Sequence, residues 1–173
     1  MTRDEVFSYT ASIDELVSHA NRFAPEGTRG VTEFRAELGG LLTVLIASCY
    51  ENIVKQTLID YSTRHHLEFG RFTEGAFSKL NSRIQLRDLR QYCSYGSPSI
   101  LSHFKDKMAR RKAFYRRIAR VEIDKAYEQL LLWRHDYAHA GKKNTTIEEA
   151  VRTHKEGFPV LLSFTEAFEK FSP

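Results

Sequence analysis

One segment constrains the fold more than any other. From about Val31 to about His65, the residues Phe34, Leu38, Leu41, Leu42, Leu45, Cys49 and Ile59 fall on one face of a single long helix. An apolar stripe of that length needs other elements along its flank. Nothing in the sequence offers a sheet for the purpose, because no stretch alternates in the manner of a strand. The expected fold class is therefore all-α, an up-and-down helical bundle. The 173 residues read as one domain, 1–173, long enough to bury a real core.

Polar residues interrupt that long face. Asn52 and Gln56 fall on it and Glu51 lies at its edge. Buried polar groups need partners. These residues either satisfy one another and nearby backbone, or they support Arg134, a residue considered below.

On either side the chain breaks into shorter pieces. Residues from about Thr2 to Arg22 form a first helix with Val6, Ile13, Leu16, Val17 and Ala20 inward, and Ala24 to Gly30 is a loop. His65 and His66 end the long helix as surface residues. Gly70, Gly75, Gly96 and Pro98 cut residues 67–100, leaving helical pieces over Glu74–Ser82 and Leu86–Tyr92. Phe69, Phe72, Phe77, Leu80, Ile84 and Leu89 supply packing there. Ser94 to Ser99 is a turn followed by helix-start chemistry.

Between His103 and Arg120 the chain turns basic. Lys105, Lys107, Arg110, Arg111, Lys112, Arg116, Arg117 and Arg120 stand against one acid, Asp106. Phe114, Ile118 and Val121 are expected inward, with Arg116, Arg117 and Arg120 clustered away from them. Such a run is either a solvated face or a phosphate-binding surface. Tyr115 is its one fair candidate for stacking on a base. Net charge is +4 with a pI near 9.1, which permits an anionic partner without requiring one.

The basic run leads into Trp133-Arg134-His135-Asp136-Tyr137-Ala138-His139-Ala140-Gly141. Ile123, Tyr127, Leu130, Leu131 and Ala138 share an apolar stripe, and Arg134 falls in its middle. An arginine there is costly unless it is paired or lines a site. His135 and His139 sit together on another face, four residues apart. Gly141 reads as the helix stop. Three readings of this stretch stay open. Arg134 pairs with an acid on a neighbouring helix and the histidines face solvent. His-Asp-x-x-His binds zinc, although aspartate reaches less far than the glutamate of zinc proteases and no third ligand is obvious. Or a histidine moves protons while the arginine holds a phosphate.

Beyond it, Lys142-Lys143-Asn144 is a basic loop and Thr145-x-x-Glu148 resembles a capping box. Ile147, Ala150 and Val151 face inward, and Gly157 and Pro159 break the helix. A last piece carries Leu161, Phe164, Phe168 and Phe171, and His154 reads as structural or exposed.

Arg134, four residues, then His139, in the form Arg-His-x-x-Ala-His-Ala-Gly, resembles the Arg-x(4–6)-His motif of the HEPN superfamily of all-helical ribonucleases, in its RiboL-PSP and MAE-type groups. The motif ends a long helix late in an all-helical chain, as it does in that family. The resemblance covers most of the chain as architecture and Arg134–Gly141 as motif. It implies a metal-independent endoribonuclease that cuts RNA through attack of the 2′-hydroxyl and needs no cofactor. Arg134, His139 and His135 would be catalytic, with Asp136, Glu51 and Asn52 supporting them. Arg116, Arg117, Arg120, Lys142 and Lys143 would hold the RNA. It also implies a composite site at a homodimer interface, and the setting of a toxin or phage-defence effector with a cognate antitoxin or other regulatory protein. Gly141 stands where HEPN toxins paired with a nucleotidyltransferase antitoxin carry tyrosine. The alternative is a HEPN-like module that binds RNA or a protein without cleaving.

Geometry bears on the dimer. Arg134 and His139 are about 140° apart around an ideal helix, so they do not converge on one face. A two-fold axis near the motif would bring two arginines and two histidines into one cleft.

Other classes lack their signatures: there is no Gly-rich phosphate loop, dinucleotide fingerprint or Gly-x-Ser-x-Gly elbow. The apolar run Leu38–Cys49 is too short to span a bilayer and reads as core, so no membrane partner is expected. Met1 to Glu5 shows no signal-peptide pattern, and Cys49 and Cys93 lack paired spacing. Both point to a cytoplasmic protein with reduced thiols.

Overall fold

The long segment does form one unbroken helix, and the other helices are arranged around it. The computed structural model describes residues 3–25, 27, 31–77 and 84–172. Its helices are α1 (Arg3–Phe23), α2 (Thr32–His65), α3 (Leu67–Phe77), α4 (Leu86–Gly96), α5 (Pro98–Ala119), α6 (Ile123–Ala140), α7 (Ile147–Gly157) and α8 (Pro159–Glu169). No strand occurs among the described residues, and the protein is an all-α helical bundle. At 34 residues, α2 is about 50 Å long. It packs against α1, α3, α6, α7 and α8, while α5 lies across α4, α6 and α8.

Helix α2 corrects the single apolar face expected of it. Its buried side chains include Leu42, Ile46, Cys49, Tyr50, Ile53, Val54 and Leu58. Phe34 and Leu41 are exposed, and Asn52 faces solvent rather than the stripe. The reason is coverage. A helix with neighbours on several sides carries apolar residues most of the way round, so one chosen stripe misplaces some of them. Helix α2 is long and apolar enough, by composition, to cross a membrane: one window reaches a mean hydropathy of 1.3. More than half of that window, 56%, is buried inside the protein, as the central helix of a bundle requires.

Local signals set most helix ends. Ser97 caps α5 by accepting a hydrogen bond from the Ile100 N–H at 3.1 Å, with Pro98 in the first turn. The capping box of α7 lies one residue later than its sequence signature suggested. Thr146 accepts from the Glu149 N–H at 3.1 Å, and Glu149 accepts from the Thr146 N–H at 3.2 Å. Thr145 is buried instead.

Three other expectations change. The helical piece foreseen over Glu74–Ser82 is α3, which starts at Leu67; residues 78–83, including Leu80, lie outside the described residues. Phe69 and Phe72 on α3 are exposed rather than packed. On α5, Phe114 and Ile118 face outward while Tyr115 is half-buried against the core. The inner row of α5 runs Ile100, Phe104, Met108, Arg111, Tyr115. An arginine within that row hides its continuation. Arg111 is accommodated there because Glu166 accepts from it at 2.6 Å and the Ser163 hydroxyl at 2.9 Å.

Candidate functional site

The candidate site lies at the C-terminal end of α6, whose position is fixed by backbone and packing. Gly141 ends the helix in the left-handed region, with φ of 61°, where a side chain would be strained. Its N–H donates to the Tyr137 carbonyl at 3.0 Å, and the Lys142 N–H to that of Asp136 at 3.3 Å. The last turn presses close to α2. A Cβ on Gly40 would overlap the Tyr137 ring, so glycine is what allows the two helices to approach there. The Tyr137 hydroxyl donates to Glu37 of α2 at 2.9 Å. Lys143 reaches Glu37 at 2.5 Å and Glu33 at 3.4 Å. Hydrogen bonds from Lys143 and then Tyr137 hold the Glu37 carboxyl below its ordinary value.

Between α2 and α6 opens a cleft of about 640 Å³. Arg134 and His135 stand at one end and Lys125 marks the other, with Glu51 in the facing wall. Arg134 is half-buried, its side chain 22% exposed, and its Nη2 is 3.9 Å from Glu51 Oε1. That is an ion pair but too long for a hydrogen bond. Among the described residues the Arg134 guanidinium makes no hydrogen bond, so its donors are open to the cleft.

His135 and His139 are exposed one turn apart, their ring centres 4.6 Å from each other. His135 lines the cleft; His139 does not. Asp136 turns the other way and fastens the following loop, accepting from Asn144 Nδ2 at 3.0 Å with Lys142 Nζ 3.9 Å from its other oxygen. Ala138, expected on the apolar stripe, is exposed, whereas Ile123, Tyr127 and Leu130 are buried and Leu131 is half-buried. The α6 stripe thus turns away from the core in its last turn. Among the described residues no third His, Cys, Asp or Glu joins His135 and His139 in a group able to hold a metal ion.

The structure therefore gathers Arg134, His135 and Glu51 at one cleft, with His139 beside His135. Asn52 is solvent-facing and stands apart from them. The basic residues divide. Arg116 is forked onto Glu122 at 2.6 and 2.7 Å, while Arg117 and Arg120 have no acidic partner among the described residues.

Two features escaped the sequence reading. Lys125, Glu128 and Gln129 line the cleft, and Lys125, Glu128, Leu132 and His135 recur at three- and four-residue spacing on α6, a signal the sequence does carry. The second is a buried polar cluster. Tyr50 Oη lies 2.9 Å from His154 Nδ1, its ring stacks on Tyr127 at 5.4 Å, and the Tyr127 hydroxyl donates to the Ile84 carbonyl at 2.6 Å. Burial pushes both tyrosines up and holds His154 down at about 4.

Comparison with protein-family models, curated proteins and solved structures finds no match.

Proposed function

We propose that this chain is a metal-independent endoribonuclease of the HEPN type, as its Arg134–Gly141 motif suggests. The observation that carries the reading is Arg134. It is half-buried beside an open cleft, yet its guanidinium makes no hydrogen bond among the described residues. A purely structural arginine at such a position would close its donors onto an acid, because leaving them unmade is costly. An arginine kept open is suited to a phosphate, which it can grip by two parallel hydrogen bonds.

In this mechanism the nucleophile comes from the substrate. An imidazole takes the proton from a ribose 2′-hydroxyl as its oxygen bonds to the adjacent phosphorus. The bond to the 5′-oxygen breaks, and that oxygen receives a proton from a second imidazole. Arg134 offsets the charge that builds on the phosphoryl oxygens. His139, in the last turn of α6, is assigned the acid role. His135 and His139 lie side by side, and only His135 lines the Arg134 cleft. Base and acid on opposite sides of one phosphorus then require a second protomer, with the two α6 ends facing each other about a two-fold axis.

The test uses single-stranded RNA in the presence of EDTA. Expected products carry a 2′,3′-cyclic phosphate and a free 5′-hydroxyl, and a 2′-deoxy sugar at the cleavage position blocks the cut. Arg134→Ala or His139→Ala nearly abolishes cleavage, and light scattering shows a dimer. Equal cutting of the 2′-deoxy substrate, or activity lost in EDTA and restored by zinc, refutes the reading.

A further inference from the structure

Eight basic residues lie between Lys105 and Arg120, and the structure sorts them into two groups. Four are held by acids: Lys107 and Arg111 by Glu166 at 2.8 and 2.6 Å, Lys112 by Asp124 at 2.5 Å, and Arg116 by Glu122 at 2.6 Å. These ties fasten α5 to α8 and to the start of α6. The other four, Lys105, Arg110, Arg117 and Arg120, have no acidic partner among the described residues.

Two of the unpaired cations bracket an aromatic ring. Arg110, Phe114 and Arg117 follow one another at four- and three-residue spacing, so they form one stripe on the outer face of α5. Phe114 is 49% exposed. Tyr115, half-buried behind it, meets its ring edge-on with centres 5.5 Å apart. Arg110 and Arg117 are about 10 Å apart along the helix axis. An exposed, braced ring with a free guanidinium one turn to either side is complementary to a nucleobase flanked by its phosphates. The ring stacks on the base and the arginines take the backbone. Bases inside a duplex do not offer that face, so the ligand is single-stranded. A helix built for an anionic lipid surface separates its apolar face from its basic one. Here the aromatic sits inside the basic row.

We propose that the Arg110–Phe114–Arg117 face of α5 binds single-stranded RNA, with a base stacked on Phe114. The inference takes the choice of RNA from the ribonuclease reading, but it uses no residue of the α6 cleft.

Binding is measured on the full chain carrying Arg134→Ala and His139→Ala, so that no cleavage intervenes. The probe is a fluorescent oligouridylate, followed by anisotropy. Phe114→Ala is expected to weaken binding about tenfold. Phe114→Tyr restores it, and an oligomer of abasic sugars is bound equally by the parent and Phe114→Ala chains. Changing Arg110 and Arg117 to Gln lowers the slope of log affinity against log salt by about 1.4, from two lost single-strand phosphate contacts. Unchanged melting temperatures establish that the variants are folded. The proposal is overturned if Phe114→Ala binds oligouridylate as tightly as its parent, or if the loss is as large on the abasic oligomer. It is also overturned if Phe114 governs binding to phosphatidylserine vesicles and not to RNA. Phe114-dependent binding by a chain that cuts no RNA removes the ribonuclease reading and leaves this one standing; cleavage with Phe114-independent binding does the reverse.

Discussion

Acidification should destabilise this protein through His154 specifically. The imidazole is 7% exposed, faces Tyr50 and Phe158, and is held at about 4 against an ordinary 6.5, chiefly because burial disfavours its charged form. Nearby charges nearly oppose each other: Asp14 raises the value and Lys155 lowers it. Because the folded value is the lower one, the unfolded chain binds a proton that the folded chain does not throughout that interval. Nothing is lost above about pH 6.5; stability falls as pH drops from there toward 4, and the contribution levels off once the folded imidazole also titrates. At about 1.4 kcal/mol for each tenfold change in proton affinity, the loss is about 3 kcal/mol. That is a large share of the roughly 5–15 kcal/mol that holds such a domain together. The comparison is with His154→Gln, which keeps a polar partner for Tyr50 and does not titrate. Urea unfolding is followed through Trp133, the one tryptophan, at several pH values between 7.5 and 4.5. Every other titrating group is common to both chains, so the stability difference between them should shift by about 2–3 kcal/mol in favour of the variant as pH falls. Parallel curves refute the argument. So does an NMR titration of the parent in which the His154 ring protonates near 6.5.

Two further outcomes follow from packing. Glu166→Ala should cost about 2–3 kcal/mol in urea unfolding, since it strands the half-buried Lys107 and Arg111 without their acid; a loss below about 0.5 kcal/mol means those ties are solvent-screened. Gly40→Ala should destabilise by about 1–3 kcal/mol through overlap with Tyr137, whereas Gly75→Ala, with nothing near its new Cβ, should stabilise by about 0.5–1 kcal/mol; equal signs in thermal unfolding contradict the close approach of α2 and α6.

The helices were legible where local chemistry alone decides them. Gly141 in the left-handed region, Ser97 before Pro98, and the break at Gly157–Pro159 are short-range signals, and the chain obeys them. Which face turns inward was less legible, because that depends on neighbours. For α2, flanked by five helices, the helical stripe places Asn52 and Leu41 inward, whereas Ile46, Tyr50 and Ile53 fill the core. His154 shows the same limit. Its partner Tyr50 is 104 residues away, and no spacing rule joins them.

Arg111 and Arg134 show what the sequence can and cannot distinguish. Each is an arginine set among apolar residues on the inner side of a helix, and a rule about buried charge treats them alike. Packing separates them. Arg111 is closed on two sides, by Glu166 at 2.6 Å and Ser163 at 2.9 Å, and its position is explained by that pairing. Arg134 has its acid at 3.9 Å and an open cleft in front of it. An arginine whose donors are satisfied gains little from an incoming anion, because it must first give up the bonds it has. One whose donors face an open cleft need only exchange solvent for the charge-assisted pair. The same contrast sorts the surface of α5, where Arg116 is closed onto Glu122 and Arg117 is open. The cations open to an incoming anion are thus distinguished by their partners rather than by net charge, and Arg134 is the one that shares its cleft with an imidazole, that of His135.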